Sequence, residues 1–546
     1  MYRLNQIKLN ICHDDYDLKK KIAKSVKLSV DDIDWSTLII LHKSIDARDK
    51  DNILFVYNVA FDTKVDLKLE KYEPVIFNPI IKEKQNANIR PVVVGLGPAG
   101  LFASYILALN GFKPIILERG KALDDRIKDV DKFFNTMELD YESNVCFGEG
   151  GAGAFSDGKL NTNNKDKTGI YRFVLETFVK FGAQKNILYD NMPHIGTDKL
   201  VDVIKNMRNE IIRLGGEIFY NTKFCFNDGK PSINITNDTP VILAIGNSSR
   251  DTFRELIKNG FGLKAKPIAV GYRIAHKQSF INEAQYGNSI NHIKQKNISD
   301  KLLNIDNLLG PATYKLTYDV GNGHSVYSFC MCPGGYIINS SNCEGMLSIN
   351  GMSYNDRNGK YANSAIVETI GVSDIANVAL DNDIQMIHTE KKANDDECSP
   401  LQMIEFQEQV EKMAFELEKG FIPYVTGNGD DICQEDVFKG RAKYSKKLMS
   451  VYETLGLKIN INKDIEMALK HFNKIIPGFY GNEYVIAGVE TRTSSPVKLD
   501  RDENYMCNIH NFYPCGEGLG HGGGIMSCAV DGINVAMAVA KKLYSG

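Results

Sequence analysis

The chain has 546 residues, 43% of them hydrophobic and 24% charged, and 65 Lys and Arg against 68 Asp and Glu give a net charge of -3. This length predicts two or three domains, and the near-neutral charge argues against an electrostatic grip on nucleic acid. No apolar run suits a membrane span or a signal peptide, and eleven cysteines without a CxxC pair argue against a disulfide framework or a zinc site. We therefore expect a cytoplasmic protein without a metal and with neither membrane nor nucleic acid as a partner.

The first 87 residues form a unit of their own in the sequence pattern. QIKLNI predicts a strand, and Leu18, Ile22 and Val26 share one face of a helix. Two β-branched and aromatic runs, TLIILHKSI and ILFVYNVAF, predict two strands joined by a polar turn. This order predicts a small N-terminal βαββ module over residues 1–87, ending in the polar linker KEKQNAN.

A glycine turn follows the linker, between a buried strand and an apolar helix. In PVVVGLGPAGLFASYILAL, Gly95, Gly97 and Gly100 stand in the order GxGxxG. Gly95 permits the tight turn, Gly97 lets the backbone approach a pyrophosphate, and Gly100 allows the helix to pack closely on the strand. The first helical turn, which begins at Pro98 and Ala99, brings free N–H groups and the positive end of the helix dipole to the phosphates.

The next strand, KPIILE, ends in Glu118 and is followed by Arg119. At this distance from the glycine turn, the Glu118 carboxylate can accept hydrogen bonds from an adenosine ribose, and it would repel a 2′-phosphate. We expect Arg119 to contribute to the same site. The pattern predicts a site for NAD or FAD and argues against NADP.

The loop FGEGGAGAFSDGKL, residues 147–160, holds too many glycines for the interior of a helix or a strand. It resembles the loop that passes along the isoalloxazine ring in flavin dehydrogenases, which implies that Gly150 and Gly151 contact the cofactor. A structural turn is the alternative. Asp157 and Lys159 follow the glycines as further polar candidates.

Two later stretches favour FAD over NAD. VILAIGNSS is a buried strand that ends at Ala244 and Gly246, and NFYPCGEGLGHGGGIMSCAVDGINVAMAVAKKL is a glycine run that leads into an apolar helix. Both resemble the FAD sites of flavin-linked disulfide reductases and hydroxylases, in which an acidic residue after a glycine binds the ribityl and pyrophosphate groups. This resemblance implies non-covalent FAD, whereas a loop that only caps the helix is the alternative. The residues that it assigns to this half of the site are Gly516, Glu517, Gly523, Gly524 and Ile525.

Between these stretches, the strand patterns PIAVGYRIA, TYKLTYDV and SVYSFCM predict an antiparallel sheet within residues 263–350. Residues 400–470 are predicted to be mostly helical, from segments such as MIEFQEQVEKMAFELEKG and DIEMALKHF.

Three residues are candidates for catalysis. Cys330 and Cys332 lie two apart on a strand in CMCPGG, and Cys332 is the candidate redox or catalytic thiol, with pocket lining or core packing as the alternative. Arg492 in ETRTSSP is a candidate to bind a substrate carboxylate or to stabilise an anionic reduced flavin, unless it forms a structural ion pair. His521, inside the glycine run, is the candidate acid or base, because a helix N-terminus favours its neutral form.

Longer strings carry a resemblance over nearly the whole chain: SIDAR, FGEGGAGAFSDGKL, HIGTD, YSFCMCPGG, NGMSYNDR, ETRTSSP and YPCGEG. They resemble the bacterial family of uncharacterised FAD-dependent, or NAD(FAD)-utilising, dehydrogenases. The resemblance implies an α/β fold with a glutathione-reductase-type, Rossmann-like FAD domain built from residues 88–262 and 472–546. It also implies an inserted α+β substrate or cap domain at 263–471, with the βαββ module in front. One departure is His521, where the family usually has an aromatic residue.

The resemblance implies an FAD-dependent oxidoreductase, a dehydrogenase that transfers a hydride between an unidentified organic substrate and flavin N5. No second strand–GxGxxG–helix unit is present in the sequence, so NAD(P)H is expected at most as a transient electron partner. Two alternatives stay open. One is a flavoprotein of RNA modification, and the other is a non-catalytic flavin-binding or electron-relay protein.

Overall fold

The computed structural model of the protein describes residues 1–81, 89–161, 166–227, 229–233, 235–287, 309–321, 323–375, 378, 399–417, 420–428, 434–453, 455–481 and 483–545. The predicted boundary between residues 87 and 88 lies outside these ranges. The strands are β1 (Tyr2–Asn10), β2 (Ile33–Asp46), β3 (Leu54–Thr63), β4 (Val92–Val94), β5 (Ile115–Leu117), β6 (Glu217–Phe219), β7 (Phe226–Asn227), β8 (Lys230–Pro231), β9 (Val241–Leu243), β10 (Leu263–Ala265), β11 (Ile268–Lys277), β12 (Thr317–Gly321), β13 (His324–Cys332), β14 (Tyr336–Asn339), β15 (Ile349–Met352), β16 (Tyr361–Ile370), β17 (Tyr424–Asn428), β18 (Phe438–Lys439), β19 (Lys443–Tyr444), β20 (Tyr484–Glu490), β21 (Val497–Leu499) and β22 (Phe512–Pro514). The α-helices are α1 (Asp15–Ser25), α2 (Pro98–Leu109), α3 (Leu123–Thr136), α4 (Ile170–Lys180), α5 (Thr197–Arg213), α6 (Arg250–Lys258), α7 (Gln278–Tyr286), α8 (Leu401–Glu416), α9 (Gln434–Val437), α10 (Ile461–Ile475) and α11 (Ile525–Ser545).

The N-terminal module is a three-stranded antiparallel sheet, in the order β1-β3-β2, with α1 packed beside it. Asp14 begins the helix, because its carboxylate accepts a hydrogen bond from Asp17 N while the Asp17 carboxylate accepts one from Asp14 N. Leu18 and Ile22 of the helix are buried. The predicted order of strand, helix, strand and strand is confirmed.

Strands β22, β9, β4, β5 and β6 form, in that order, a five-stranded parallel sheet. The sequences of β4 and β9, VVV and VIL, are buried throughout, as in parallel sheets that are covered on both faces. Helix α2 packs against β4 and against the C-terminal helix α11. Ligands bind at the carboxyl ends of parallel strands, and this edge is where Gly95, Glu118 and Ala244 lie.

A seven-stranded sheet, in the order β12-β13-β16-β11-β20-β17-β19, forms the second large layer. Its pairs are antiparallel except that of β17 with β19. The antiparallel sheet predicted within residues 263–350 is confirmed for β11, β12 and β13. Strand β11 is buried along nine of its ten residues because it lies at the centre of this sheet.

Two predictions about the C-terminal half need correction. Residues 400–470 contain helices α8 and α10, as predicted, but also strand β17, which pairs with β20. Strand β20 belongs to the antiparallel sheet, so the change between sheets does not come at residue 471 but after Glu490, and the chain rejoins the parallel sheet at β22. Both departures have one cause, since strand pairing depends on distant partners that local periodicity does not show.

One apolar cluster joins the N-terminal module to the antiparallel sheet, because Phe55 and Val59 of β3 belong to it together with Ile268 and Val270 of β11. A second cluster lies between α2, α11 and the parallel sheet. Within the described ranges, the structure contains no helix with the length and apolarity that a membrane crossing requires.

Candidate cofactor and substrate cavity

A cavity of about 290 Å³ lies at the carboxyl ends of the parallel strands and extends to the antiparallel sheet. Gly95, Glu118 and Ala244, the first residues after β4, β5 and β9, line one part of it. Cys330 of β13 and Glu490 of β20 line another part. The cavity therefore brings together residues from distant parts of the sequence, including most of the predicted site.

The glycines of the GxGxxG turn have different reasons to be glycine. A Cβ atom on Gly95 would lie 2.4 Å from Ala244 O, and one on Gly100 would lie 1.9 Å from Gly95 O, so the chain itself needs both. Gly97 has a φ of -75°, and a Cβ there would meet only the Cα atom of Gly151, at 3.7 Å. Protein packing does not require a glycine at position 97, and the space that its missing side chain leaves belongs to the cavity.

The C-terminal part of the cavity wall also has a glycine that protein packing does not require. Gly523 lines the cavity, and a Cβ atom on it would have no atom within 4 Å. Helices α2 and α11 both begin here, with Pro98 and Ile525 as their first residues. Helix N-termini present unpaired N–H groups and a positive dipole end, so this cradle fits the diphosphate and ring system of a dinucleotide.

The buried Glu118 carboxylate holds the surrounding loops together. Its Oε1 atom accepts hydrogen bonds from Gly120 N at 2.9 Å and Gly148 N at 3.0 Å. Its Oε2 atom accepts one from Leu96 N at 2.8 Å. An ionised carboxylate has about four lone-pair sites, so one on Oε2 is left to accept a hydroxyl, which fits the predicted contact with a ribose.

Glu517 lines the cavity beside Gly516, and it accepts a hydrogen bond from Asn247 Nδ2 at 3.0 Å. Burial raises the pKa of the Glu517 carboxyl to about 7, while hydrogen bonds from Gly524 N and Asn247 act in the opposite direction. Near neutral pH the carboxyl therefore exists in both forms, and it can donate a hydrogen bond to a ligand or accept one.

The glycine loop of residues 147–160 runs along the cavity, which Gly151 and Asp157 both line. Gly150 does not line it. Its N–H donates to Leu96 O at 2.8 Å, and a Cβ atom on it would lie 2.7 Å from Ile204 Cδ1. Gly150 therefore holds the loop against the glycine turn, and its predicted contact with the cofactor stays a prediction that the cavity lining does not support.

Asp157 is the centre of a buried ionic cluster. Its carboxylate accepts hydrogen bonds from Ser353 Oγ and from the Arg357 guanidinium, and Lys159 Nζ lies 3.1 Å from Oδ2. Although burial opposes ionisation, Lys159 and Arg357 hold the pKa of Asp157 at about 2. Two cations around one anion leave this cluster, which we call the Asp157 cluster, with one positive charge in excess.

Arg492 lines the cavity and forms a bidentate ion pair with Glu411, with 2.9 Å from Nε to Oε1 and 2.6 Å from Nη2 to Oε2. Arg250 pairs with the same carboxylate at 2.6 and 3.0 Å, and Thr491 Oγ1 also donates to it. Against the effect of burial, the two guanidinium groups lower the pKa of Glu411 to about 2. These three charged residues, the Glu411 cluster, also carry one positive charge in excess.

The two cysteines of CMC differ in exposure. Cys330 is half-buried and lines the cavity, whereas Cys332 is buried and does not line it. The fully buried Arg273 pairs with Glu490 at 2.6 Å and donates to Cys330 O at 3.2 Å. The predicted redox or catalytic role of Cys332 stays a prediction, but of the two thiols the one that a ligand in the cavity can reach is that of Cys330.

His521 does not line the cavity. Its Nε2 atom lies 2.7 Å from Leu499 O, so this nitrogen carries the proton and donates it to the carbonyl. Burial and, to a smaller extent, Arg501 lower the pKa of the imidazole, which is therefore neutral at pH 7. The predicted neutral form agrees with the structure, but the position of the ring does not favour its role as a base for a bound substrate.

Among the predicted cofactor residues, Gly100 and Gly150 shape the loops without lining the cavity. The others line it: Gly95, Gly97, Pro98, Ala99, Glu118, Arg119, Gly151, Ala244, Gly246, Gly516, Glu517, Gly523, Gly524 and Ile525. Arg119 is paired with Glu142 and Asp251. Sequence reasoning missed Asn247, although it directly follows the predicted strand turn, and Glu411, whose helix shows no pattern that marks it.

Comparison with known proteins identifies the family to which the chain belongs. Residues 267–493 match the family described as "FAD-dependent protein, C-terminal domain-like", and residues 1–62 match a domain of unknown function. An uncharacterised protein of Clostridium beijerinckii is 39% identical, over 99% of this chain and 98% of that protein. Glycine oxidase from Bacillus cereus is 11% identical with a TM-score of 0.30, over 83% of this chain and 96% of its own. L-proline dehydrogenase from P. horikoshii is 9% identical with a TM-score of 0.31, over 84% and 94%.

The cofactor of the protein is FAD, since the matched family consists of FAD-dependent proteins. The residues present fit this cofactor. Gly97 and Gly523 leave side-chain space that the protein does not fill, Glu118 keeps one free lone-pair site, and two helix N-termini point positive dipole ends at the cavity.

Proposed function

Since the chain belongs to the same family as the clostridial protein and carries the C-terminal domain of FAD-dependent proteins, we propose that it is an FAD-dependent oxidoreductase. In this proposal the cavity residues would hold FAD and orient a small organic substrate against it, and the bound cofactor would supply the chemistry of hydride transfer. The observation that carries the proposal is that one cavity joins the phosphate-binding turn to a second region walled by buried ion pairs. Burying charges is unfavourable, so a protein that only held FAD would gain nothing from this second region.

The charge of the second region supports an anionic substrate. The Asp157 cluster and the Glu411 cluster each hold two cations and one anion. Asp157 and Lys159 of the first cluster and Arg492 of the second line the cavity. Their excess positive charge attracts a carboxylate and favours any negative charge that develops there during the reaction. We therefore propose small organic acids as the substrate class.

Arg492 is the residue that we assign to the substrate carboxylate. Glu411 fixes its Nε and Nη2 atoms, so the guanidinium is already oriented when a ligand arrives. Its Nη1 atom has only longer contacts, 3.3 Å to Ser340 O and 3.4 Å to Cys146 Sγ, and can make a shorter hydrogen bond to a ligand oxygen. In this proposal Arg492 binds, and Glu411 positions it.

The test uses the purified, FAD-loaded protein without oxygen. A panel of hydroxy acids and amino acids is compared with the matching amides and alcohols, and flavin reduction is followed by the loss of its visible absorbance. We expect only the acids to reduce the flavin. Arg492→Gln should keep FAD but raise the KM for the acid by roughly 10- to 100-fold, the value of one charge-assisted hydrogen bond. Arg254→Gln is the control, because Arg254 pairs with Glu408 between helices α6 and α8 but belongs to neither cluster and does not line the cavity.

Other outcomes point to the other candidate functions. RNA that copurifies with a protein whose flavin no acid reduces would support a role in RNA modification. Reduction by NAD(P)H alone, without any acid substrate, would support an electron relay. Equal reduction by acids and their amides would contradict the anionic substrate class but not the oxidoreductase.

A further inference from the structure

We propose that Cys330 and Cys332 form a thiol–disulfide exchange site on the cavity, in which Cys330 attacks small disulfides and Cys332 resolves the product. This inference does not depend on the proposed oxidation of an organic acid. It rests on the backbone at the end of β13, on the charges around Cys330 and on the exposure of Phe329, which lines the cavity next to Cys330.

The backbone of β13 is bulged at these cysteines. Phe329 pairs with Ala365 and Cys332 pairs with Asn363, so Cys330 and the residue after it oppose a single residue of β16. Cys330 has a φ of +46°, a left-handed conformation that residues other than glycine rarely adopt. Bulges of this kind re-aim side chains and occur next to active sites. Here the bulge turns Cys330 to the cavity while Cys332 stays in the core.

The two cysteines remain neighbours despite the bulge. Cys332 Sγ lies 3.3 Å from Cys330 O, so the Cys332 thiol packs against the backbone of Cys330. Two cysteines placed in this way, one at a cavity and one directly behind it, have the arrangement that a resolving reaction needs.

Positive charge surrounds the Cys330 sulfur. The neighbouring Cys332 thiol, and then the charges of Lys159 and Arg273, hold the pKa of Cys330 well below its usual range although burial acts against this. The Lys159 Nζ atom is buried without a hydrogen-bond acceptor, and its ion pair with Asp157 leaves its charge beside the thiol. The pKa of Cys332 is raised instead, so one thiol of the pair is ionised and the other holds its proton.

Three carboxyl groups face the same sulfur and oppose its ionisation. Asp157 is the carboxylate that most strongly raises the pKa of Cys330, but its charge is balanced by Lys159 and Arg357. Glu490 is paired with Arg273, and Glu517 is only partly ionised near neutral pH. The cations therefore dominate at Cys330.

The cavity is open beside Cys330. Phe329, the preceding residue, lines the cavity and is 41% exposed, whereas Cys332 has no exposed surface. A small molecule that enters along Phe329 meets Cys330 first. This order fits a nucleophilic Cys330 and a resolving Cys332.

The exchange is balanced without any other reactant. The Cys330 thiolate attacks one sulfur of a small disulfide RSSR, which forms a Cys330–S–S–R mixed disulfide and releases RS⁻. Cys332 then loses its proton to that thiolate or to water and attacks the Cys330 sulfur. The Cys330–Cys332 disulfide forms and the second RS⁻ leaves, so one disulfide is reduced to two thiols while two protein thiols are oxidised.

The test mixes the reduced, FAD-loaded protein with dithiodipyridine, a small neutral disulfide whose leaving group absorbs light. We expect two equivalents, of which the first is released fast and at a rate that varies little between about pH 6 and pH 8, because Cys330 is already ionised. The second equivalent follows the deprotonation of Cys332, so its release should become faster as the pH rises. At pH 6 the larger thiolate fraction of Cys330 outweighs its weaker nucleophilicity, so the first equivalent should be released severalfold faster than free cysteine reacts.

Single variants separate the roles of the two thiols. Cys332→Ser should release one equivalent and trap a mixed disulfide on Cys330, which mass spectrometry of peptides would locate. Cys330→Ser should lose the fast phase. Cys343→Ser is the control, since Cys343 is also half-buried but does not line the cavity, and it should react like the wild type. FAD content verifies that each variant is folded.

A fast phase that survives in Cys330→Ser would overturn the proposal. So would a wild-type protein that releases only one equivalent, or one whose thiols react slowly while FAD is bound. None of these results bears on flavin reduction by organic acids, so the two proposals fail independently.

Discussion

Position 97 separates what the fold needs from what the cofactor needs. A side chain there meets no steric obstacle in the protein, and its φ of -75° and ψ of -174° suit any residue. We therefore expect Gly97→Val to abolish FAD binding, because the branched side chain fills the space of the diphosphate, while the apoprotein stays folded. Flavin released on denaturation, together with the melting temperature of the apoprotein, measures both effects.

Gly100→Ala is the contrasting variant in the same turn. Its Cβ atom would lie 1.9 Å from Gly95 O, so we expect this change to lower the stability of the apoprotein itself. Full flavin occupancy in Gly97→Val would show that the turn does not bind the phosphates.

Glu118→Ala should lower the stability of the apoprotein as well as FAD binding. The sequence alone predicts only the loss of a hydrogen bond to the ribose, but the structure shows three backbone N–H groups that depend on this carboxylate. Each unsatisfied buried donor costs about 1–3 kcal/mol, so the free energy of unfolding should fall by at least about 3 kcal/mol. Urea denaturation of the apoproteins measures this difference. Glu142→Ala, which removes an exposed partner of Arg119, should cost less than about 1 kcal/mol.

The residue types of the cofactor site were predictable from the sequence, whereas the charged end of the cavity was not. Gly97 and Glu118 stand at fixed positions relative to a strand and a helix, so local pattern is enough to find them. The choice between Cys330 and Cys332 depends on a bulge, which inverts the expected face of the strand. His521 lies only five residues after Gly516 in the sequence, yet its ring is held by Leu499 O outside the cavity wall.

At the scale of elements, helix α8 shows why the antiparallel part was only partly predictable. Its pattern predicts a helix, which the structure confirms, but not that Glu411 meets arginines from α6 and from the segment after β20. Strand β20 lies within residues 472–546, which the sequence assigned to the FAD domain, but it pairs with β11 and β17 of the antiparallel sheet, which are far away in the chain. Helical periodicity is local, whereas sheet order and buried ion pairs arise from the tertiary fold.

Helix α8 offers a matched pair of carboxylates for a stability test. Glu411 is buried between Arg250 and Arg492, whereas Glu408, one turn earlier, pairs with the partly exposed Arg254. Glu411→Gln leaves two buried guanidinium groups without their anion, and we expect a loss of about 3 kcal/mol at pH 7. Glu408→Gln should cost less than about 1 kcal/mol.

The pH dependence of this difference has a definite sign. The pKa of Glu411 is lowered from 4.5 to about 2, so its contribution is fully present above pH 4.5 and is lost as the pH falls towards 2. The stability curves of the wild type and Glu411→Gln should therefore converge below about pH 4.5. Parallel curves down to pH 2 would contradict the buried ionised carboxylate. Denaturant titrations from pH 2 to pH 8 measure the convergence.

At the scale of the whole molecule, the N-terminal module is joined to the rest of the chain but not to the cavity. Lys43 N donates to Tyr189 O at 2.7 Å, and Asn191 N donates to Lys43 O at 2.8 Å, so strand β2 extends its pairing to another part of the chain. Phe55 and Ile268 belong to one apolar cluster. Among the described residues, the cavity wall contains none that precede Val94.

A chain that begins at residue 64 should therefore keep FAD but lose stability. The cofactor contacts remain, while the apolar cluster shared with β11 is cut and its surface becomes exposed, which favours unfolding. We expect one FAD per chain and a melting temperature lower by roughly 5 °C or more. Lys50→Ala in the full chain is the control: it removes only the contact of Nζ with Ala284 O and should shift the melting temperature by less than about 1 °C. Loss of FAD from the shortened chain at temperatures where it is folded would instead give the module a part in binding the cofactor.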